Sequence, residues 1–76
     1  MKNEIKNFLI KAMPDIDFTK SNTLVDDGII DSLSIVNIIG ELAVEYDIHI
    51  SFDEISPENF NSIEAIASMV ERIRNN

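Results

Sequence analysis

No cysteine occurs in this chain, so neither a disulfide nor a thiolate metal site can reinforce its core. Any thiol chemistry would have to use a thiol that the chain does not encode. Basic residues are almost as scarce. All four lysines lie at or before Lys20, and the two arginines are Arg72 and Arg74. From Ser21 to Glu71 there are eleven acids and no Lys or Arg, and the formal net charge is −8. That balance excludes nucleic acid as a partner, because phosphate binding needs Lys and Arg. The acids suit a solvated surface or a negative face that steers toward basic partners. No apolar run approaches the roughly 20 residues that span a bilayer, so direct membrane insertion is not expected. The opening MKNEIKNFLIKAM intersperses charges with apolar residues, unlike a secretory signal. A soluble, cytoplasmic protein is expected, with residues 1–76 as one small domain whose core must be economical.

What remains is helical in pattern. Ile5, Phe8, Leu9 and Ala12 follow the i, i+3, i+4, i+7 spacing of an amphipathic helix that ends before Pro14. The periodicity fails from Asp15 to Asp31, where Ile16, Phe18, Leu24 and Val25 read as anchors of a long loop. A second helix is expected from Ser32 to Tyr46, with Ile35, Ile38, Ile39, Leu42 and Tyr46 toward the core. Ser56-Pro57-Glu58 reads as the capped start of a short helix. Asn61 and Glu64 have capping-box spacing for a last helix carrying Ile63, Ile66, Val70 and Ile73. Three main helices, one short helix and no strand predict an all-α fold, a small four-helix bundle.

The second helix has more apolar residues than one core face requires. At 100° per residue, Leu33, Val36, Gly40 and Val44 share a flank away from the core stripe. Either the long loop or the short helix covers this flank, or a partner does. Gly40 costs about 1 kcal/mol relative to Ala in mid-helix, which close approach by another chain or tight internal packing would explain.

Ser32 opens that flank. A nucleophilic serine needs a base and oxyanion donors, yet the only histidine, His49, lies beyond the far end of the helix. GIIDS is not the Gly-x-Ser-x-Gly elbow of hydrolases. Asp31 or Ser32 could cap the helix. Modification by another enzyme uses more of the surrounding features, since a phosphodiester there would meet unpaired backbone N–H groups at a helix N-terminus.

Gly28-Ile29-Ile30-Asp31-Ser32-Leu33 resembles the Asp-Ser-Leu signature of the acyl carrier protein family, whose serine bears 4′-phosphopantetheine. Glu41 through Tyr46, Ile48-His49-Ile50 and Asn61 through Ala67 extend the likeness. The resemblance implies that a phosphopantetheinyl transferase moves the arm from coenzyme A to Ser32. It implies that the arm's thiol then carries an acyl or aminoacyl group as a thioester, and that the chain itself catalyses nothing. Asp31 would help the transferase recognise the site. Leu33, Val36, Gly40, Val44 and the acids Glu41 and Glu45 would meet basic docking patches on activating ligases and downstream transferases, with the carrier a monomer.

Ser34, Asn37, Ala43 and Val44 stand where carriers of fatty acid synthesis usually place acids. Gly-Ile-Ile-Asp-Ser is more similar to D-alanyl and other stand-alone carriers served by adenylating ligases. Two rival readings use the same acids. One is an unmodified helical adaptor for a basic partner. The other is a calcium-binding protein suggested by Asp15, Asp17 and Asp26, against which Lys20 falls where the calcium loop needs glycine.

Overall fold

In a computed structural model, which describes residues 1–75, the chain forms four α-helices. They are α1 (Lys2–Ala12), α2 (Ser32–Tyr46), α3 (Pro57–Phe60) and α4 (Ile63–Arg74). A single 3-10 turn, Phe52–Glu54, precedes α3 and was not foreseen from periodicity. No strand occurs among the described residues, so the all-α expectation stands.

The apolar stripes meet in one core. Ile5 and Leu9 of α1, Ile35, Ile38 and Leu42 of α2, Phe60 of α3, and Ile63, Ile66, Met69 and Val70 of α4 are buried together. Ile39 and Tyr46, assigned to the same stripe of α2, are half-buried against this core. Tyr46 also ties three helices at one end. Its ring meets Phe8 edge-on at 5.9 Å between centroids, and the Arg74 guanidinium lies 5.6 Å from the ring centre. Val and Ile at four of the first eight positions of α2 favour strands, yet α2 is helical. Tertiary burial of one face outweighs that weak preference.

The long loop is anchored as its apolar residues suggested. Phe18 and Leu24 are buried, and Ile16 and Val25 pack at the core's edge. Ile30 is a further anchor, 1% exposed, that the broken pattern hid. Gly28, at φ +77°, supplies the left-handed step that turns the chain between Val25 and Ile30.

Two capping expectations are corrected. Asn61 does not cap α4: its backbone is helical (φ −71°, ψ −21°), whereas an N-cap residue is extended. Ser62 is extended and its Oγ accepts the Ala65 N–H at 3.0 Å. Glu64 therefore stands one position too early for a capping box and faces Lys2 across an exposed 3.2 Å ion pair. Ser56 does precede Pro57 at the start of α3, but its hydroxyl makes no cap bond.

The segment before α3 is held by a clasp. Arg72 of α4 donates two 2.8 Å hydrogen bonds to the Glu54 carboxylate, and the Asn59 amide donates to the Glu54 carbonyl at 2.7 Å. The Arg72 bond, above all, holds the Glu54 carboxyl below its ordinary 4.5. A depressed folded-state value contributes stability that is complete above the unfolded value and is lost as pH falls through the folded one. Melting temperature is therefore expected to decline on acidification below pH 4.5, and to decline less steeply in Arg72→Met. Equal slopes in a thermal melt series would show that the clasp contributes nothing.

Candidate functional site

Ser32 sits at the first helical position of α2 and is exposed. The preceding turn fixes its place. The Leu24 carbonyl accepts the N–H groups of Ile29 (2.9 Å) and Ile30 (3.1 Å), and Gly28 N–H donates to the Val25 carbonyl. Ile30 then plunges into the core, and Asp31 emerges with extended backbone as the N-cap. Of the two capping candidates, Asp31 holds the role: its Oδ1 accepts the Ser34 N–H at 2.8 Å. That bond is the first cause keeping the Asp31 carboxyl below its ordinary 3.8, so it is ionised beside the serine at neutral pH. The Ser32 hydroxyl is thus released from capping and presented to solvent at the positive end of the helix.

The surroundings of Ser32 do not make it a nucleophile in its own right. His49 is exposed and lies past the C-terminus of α2, a helix about 22 Å long at 15 residues. It borders a separate surface hollow with Tyr46, Asp47, Ile48, Ile73 and Arg74. Of the three acids weighed as a calcium site, Asp17 accepts from Thr19 and Asp26 from Asn61, and no group of metal-ligating side chains forms among the described residues.

The apolar flank of α2 is uncovered. Leu33, Val36 and Val44 are 69, 61 and 84% exposed, so neither the long loop nor α3 shields them. Val36, Gly40 and Val44 form one wall of a groove of about 460 Å³, with Ala12 and Met13 on the other side and Glu41 at its edge. Tight internal packing does not account for Gly40, because a Cβ there would meet nothing within 4 Å. Gly40→Ala is accordingly expected to stabilise the fold by about 1 kcal/mol. This would appear as a rise of about 4–8 °C in melting temperature for a domain of this size. An unchanged or lower melting temperature would mean that the glycine serves the fold and not the groove.

Electrostatically the flank is one-sided. The two ion pairs among the described residues are Lys2–Glu64 and Arg72–Glu54, which leaves Asp31, Glu41 and Glu45 without a cation. The structure therefore brings together Asp31, Ser32, Leu33, Val36, Gly40, Glu41, Val44 and Glu45 on the exposed side of one helix. Phe52 (86% exposed) and the partly exposed Ile55 belong to the segment that holds the 3-10 turn. Their only sequence signal was an aromatic residue next to two acids, Asp53 and Glu54.

No protein-family model matches the chain, and no solved structure matches it. Two curated proteins do. Aminoacyl carrier protein 1 of Bradyrhizobium diazoefficiens is 35% identical over 75 residues, covering 88% of this chain and 82% of that protein. The D-alanyl carrier protein of Streptococcus uberis is 32% identical over 63 residues, covering 83% and 80%. No helix among the described residues is long and apolar enough to cross a membrane. With likeness of this extent on an all-helical chain that presents Asp31-Ser32-Leu33 at a helix start, the chain belongs to the carrier-protein family.

Proposed function

We propose that Ser32 receives 4′-phosphopantetheine and that residues 1–76 act as a single, monomeric carrier domain for an aminoacyl group. The observation that carries this reading is a solvent-facing serine freed from capping by Asp31, at the head of an uncovered apolar flank. In the modification, the Ser32 Oγ attacks the phosphorus of coenzyme A that bears the pantetheine. The Oγ–P bond forms, the P–O bond to the adenosine 3′,5′-bisphosphate half breaks, and the hydroxyl proton passes to a base of the transferase or to water. The arm supplies the thiol that the chain lacks, and holds the cargo as a thioester. The chain contributes the attachment point and the environment around it. A phosphodiester on Ser32 would stand at the N-terminal end of α2, where the helix dipole favours its charge.

Docking falls to the flank. Leu33, Val36 and Val44 offer apolar contact, Gly40 opens the groove, and Asp31, Glu41 and Glu45 select partners with basic patches. Those partners are a phosphopantetheinyl transferase, an aminoacyl-activating ligase and the acceptor enzyme downstream, all reached in the cytoplasm, where coenzyme A is made and used. An aminoacyl cargo is favoured because both relatives are carriers of that type by name, and because Ser34, Asn37 and Val44 make the flank less acidic than a fatty-acid carrier's.

The test is intact mass after incubation with coenzyme A, magnesium and a broad-specificity transferase. One added phosphopantetheine is expected. No addition with several transferases would leave an acidic helical adaptor as the better description.

A further inference from the structure

Asn61 belongs to the junction of α3 and α4, yet its side chain is spent on the turn that delivers Ser32. Its Oδ1 accepts two consecutive backbone N–H groups, from Val25 at 2.8 Å and Asp26 at 3.2 Å. Its Nδ2 donates to Asp26 Oδ2 at 3.2 Å, and its own carbonyl accepts the Leu24 N–H at 2.7 Å. Leu24 in turn receives the N–H groups of Ile29 and Ile30, and Ile30 is followed directly by Asp31 and Ser32. Asn61 thus anchors the turn at two points: its side chain holds Val25 and Asp26, and its main-chain carbonyl holds Leu24, whose own carbonyl ties Ile29 and Ile30 just ahead of the capped start of α2. A helix junction needs no such arrangement, because Ser62 already caps α4. The loop does need it. Residues 24–30 form no regular helix or strand, and the N–H groups of Val25 and Asp26 have their acceptor on Asn61.

We propose that Asn61 is a positioning residue for the modification of Ser32. The proposal rests on the assignment of Ser32 as the phosphopantetheine site. Asn61 holds the Leu24–Ile30 turn in the shape that lets Asp31 cap α2 and frees the Ser32 hydroxyl. It touches neither the serine nor, by this account, the transferase. Its loss therefore acts on the rate of transfer and leaves docking through Leu33 and Val36 intact.

The experiment uses the full chain, coenzyme A and a broad-specificity phosphopantetheinyl transferase. It compares the parent with Asn61→Ala, Asn61→Asp, Asp26→Asn and the reciprocal double variant Asn61→Asp/Asp26→Asn. For Asn61→Ala, kcat is expected to fall about tenfold while KM stays within about twofold. Asn61→Asp sets two carboxylates against each other and should fall comparably. The double variant restores an amide–carboxylate pair and both N–H acceptors with the net charge unchanged, so its kcat should return to within about twofold of Asp26→Asn. Circular dichroism at the assay temperature measures the folded fraction of each variant. Amide exchange at Val25 and Asp26 is expected to quicken about tenfold in Asn61→Ala, with the core of α4 unchanged.

An unchanged kcat, a fall fully accounted for by unfolded protein, or a double variant that is not rescued overturns the positioning role. Failure of the parent itself to be modified is a different result. It removes the assignment of Ser32, and the role of Asn61 with it.

Discussion

Ser32→Ala is expected to accept no phosphopantetheine under conditions that load the parent chain to completion, and to melt at the parent's temperature. Both halves follow from the division of labour at the start of α2. The cap is the Asp31 carboxylate on the Ser34 N–H, so removing the neighbouring hydroxyl takes no hydrogen bond from the helix. Alanine is at least as good a helix former as serine, and the position is exposed, so the change in stability should lie within about 0.5 kcal/mol. Intact mass reports the first half and a thermal melt the second. A variant that still gains the arm would move the attachment site elsewhere. A variant that melts well below the parent would make Ser32 a structural residue despite its exposure. Asp31→Asn separates the roles of its neighbour, since asparagine caps nearly as well but carries no charge. Unaltered folding with slower loading would place the Asp31 charge in transferase recognition.

Phe60→Ala is the substitution expected to cost the fold most. The ring is fully buried and belongs to a helix of four residues, too short to stand on its own hydrogen bonds. Packing of Phe60 into the core is therefore what holds α3 in place against α4. Truncating a buried phenylalanine costs about 3–5 kcal/mol. A chain of 76 residues has only about 4–11 kcal/mol of stability in total. Urea unfolding should show a stability lower by about 3–5 kcal/mol, which at the lower end of the total range leaves much of the population unfolded. A loss below about 1 kcal/mol would mean that α3 can close over the vacated space, and that its place is set by Pro57 and the Asn59–Glu54 bond.

The helices, and the place of Ser32 at the start of α2, were legible because both signals are local. Ile35, Ile38 and Leu42 recur at the helical period, so the buried face of α2 could be drawn on a wheel. Asp31-Ser32-Leu33 is a contiguous motif. Asn61 was misread for the opposite reason: capping logic considers only the next few residues, whereas its hydrogen-bond partners lie 35 and 36 positions earlier. The exposure of the second apolar flank was equally out of reach. A wheel shows that Leu33, Val36 and Val44 share a side but not whether a loop crosses it, which depends on where Phe18, Leu24 and Ile30 pull the chain. The 3-10 turn at Phe52–Glu54 is shorter than any periodic signal, and Arg72, which clasps it, comes from the last helix.

The core has a consequence for engineering. Among the described residues, no polar or charged side chain is buried. The residues that build the interior and those that the proposed carrier role leaves for a partner are therefore separate sets, with α2 carrying one on each side. Leu33, Val36, Asn37, Glu41, Val44 and Glu45 can be exchanged together without unsettling Ile35, Ile38 or Leu42. A panel of carriers sharing one interior could thus be given mutually exclusive addresses, each admitted by its own matched ligase and ignored by the rest.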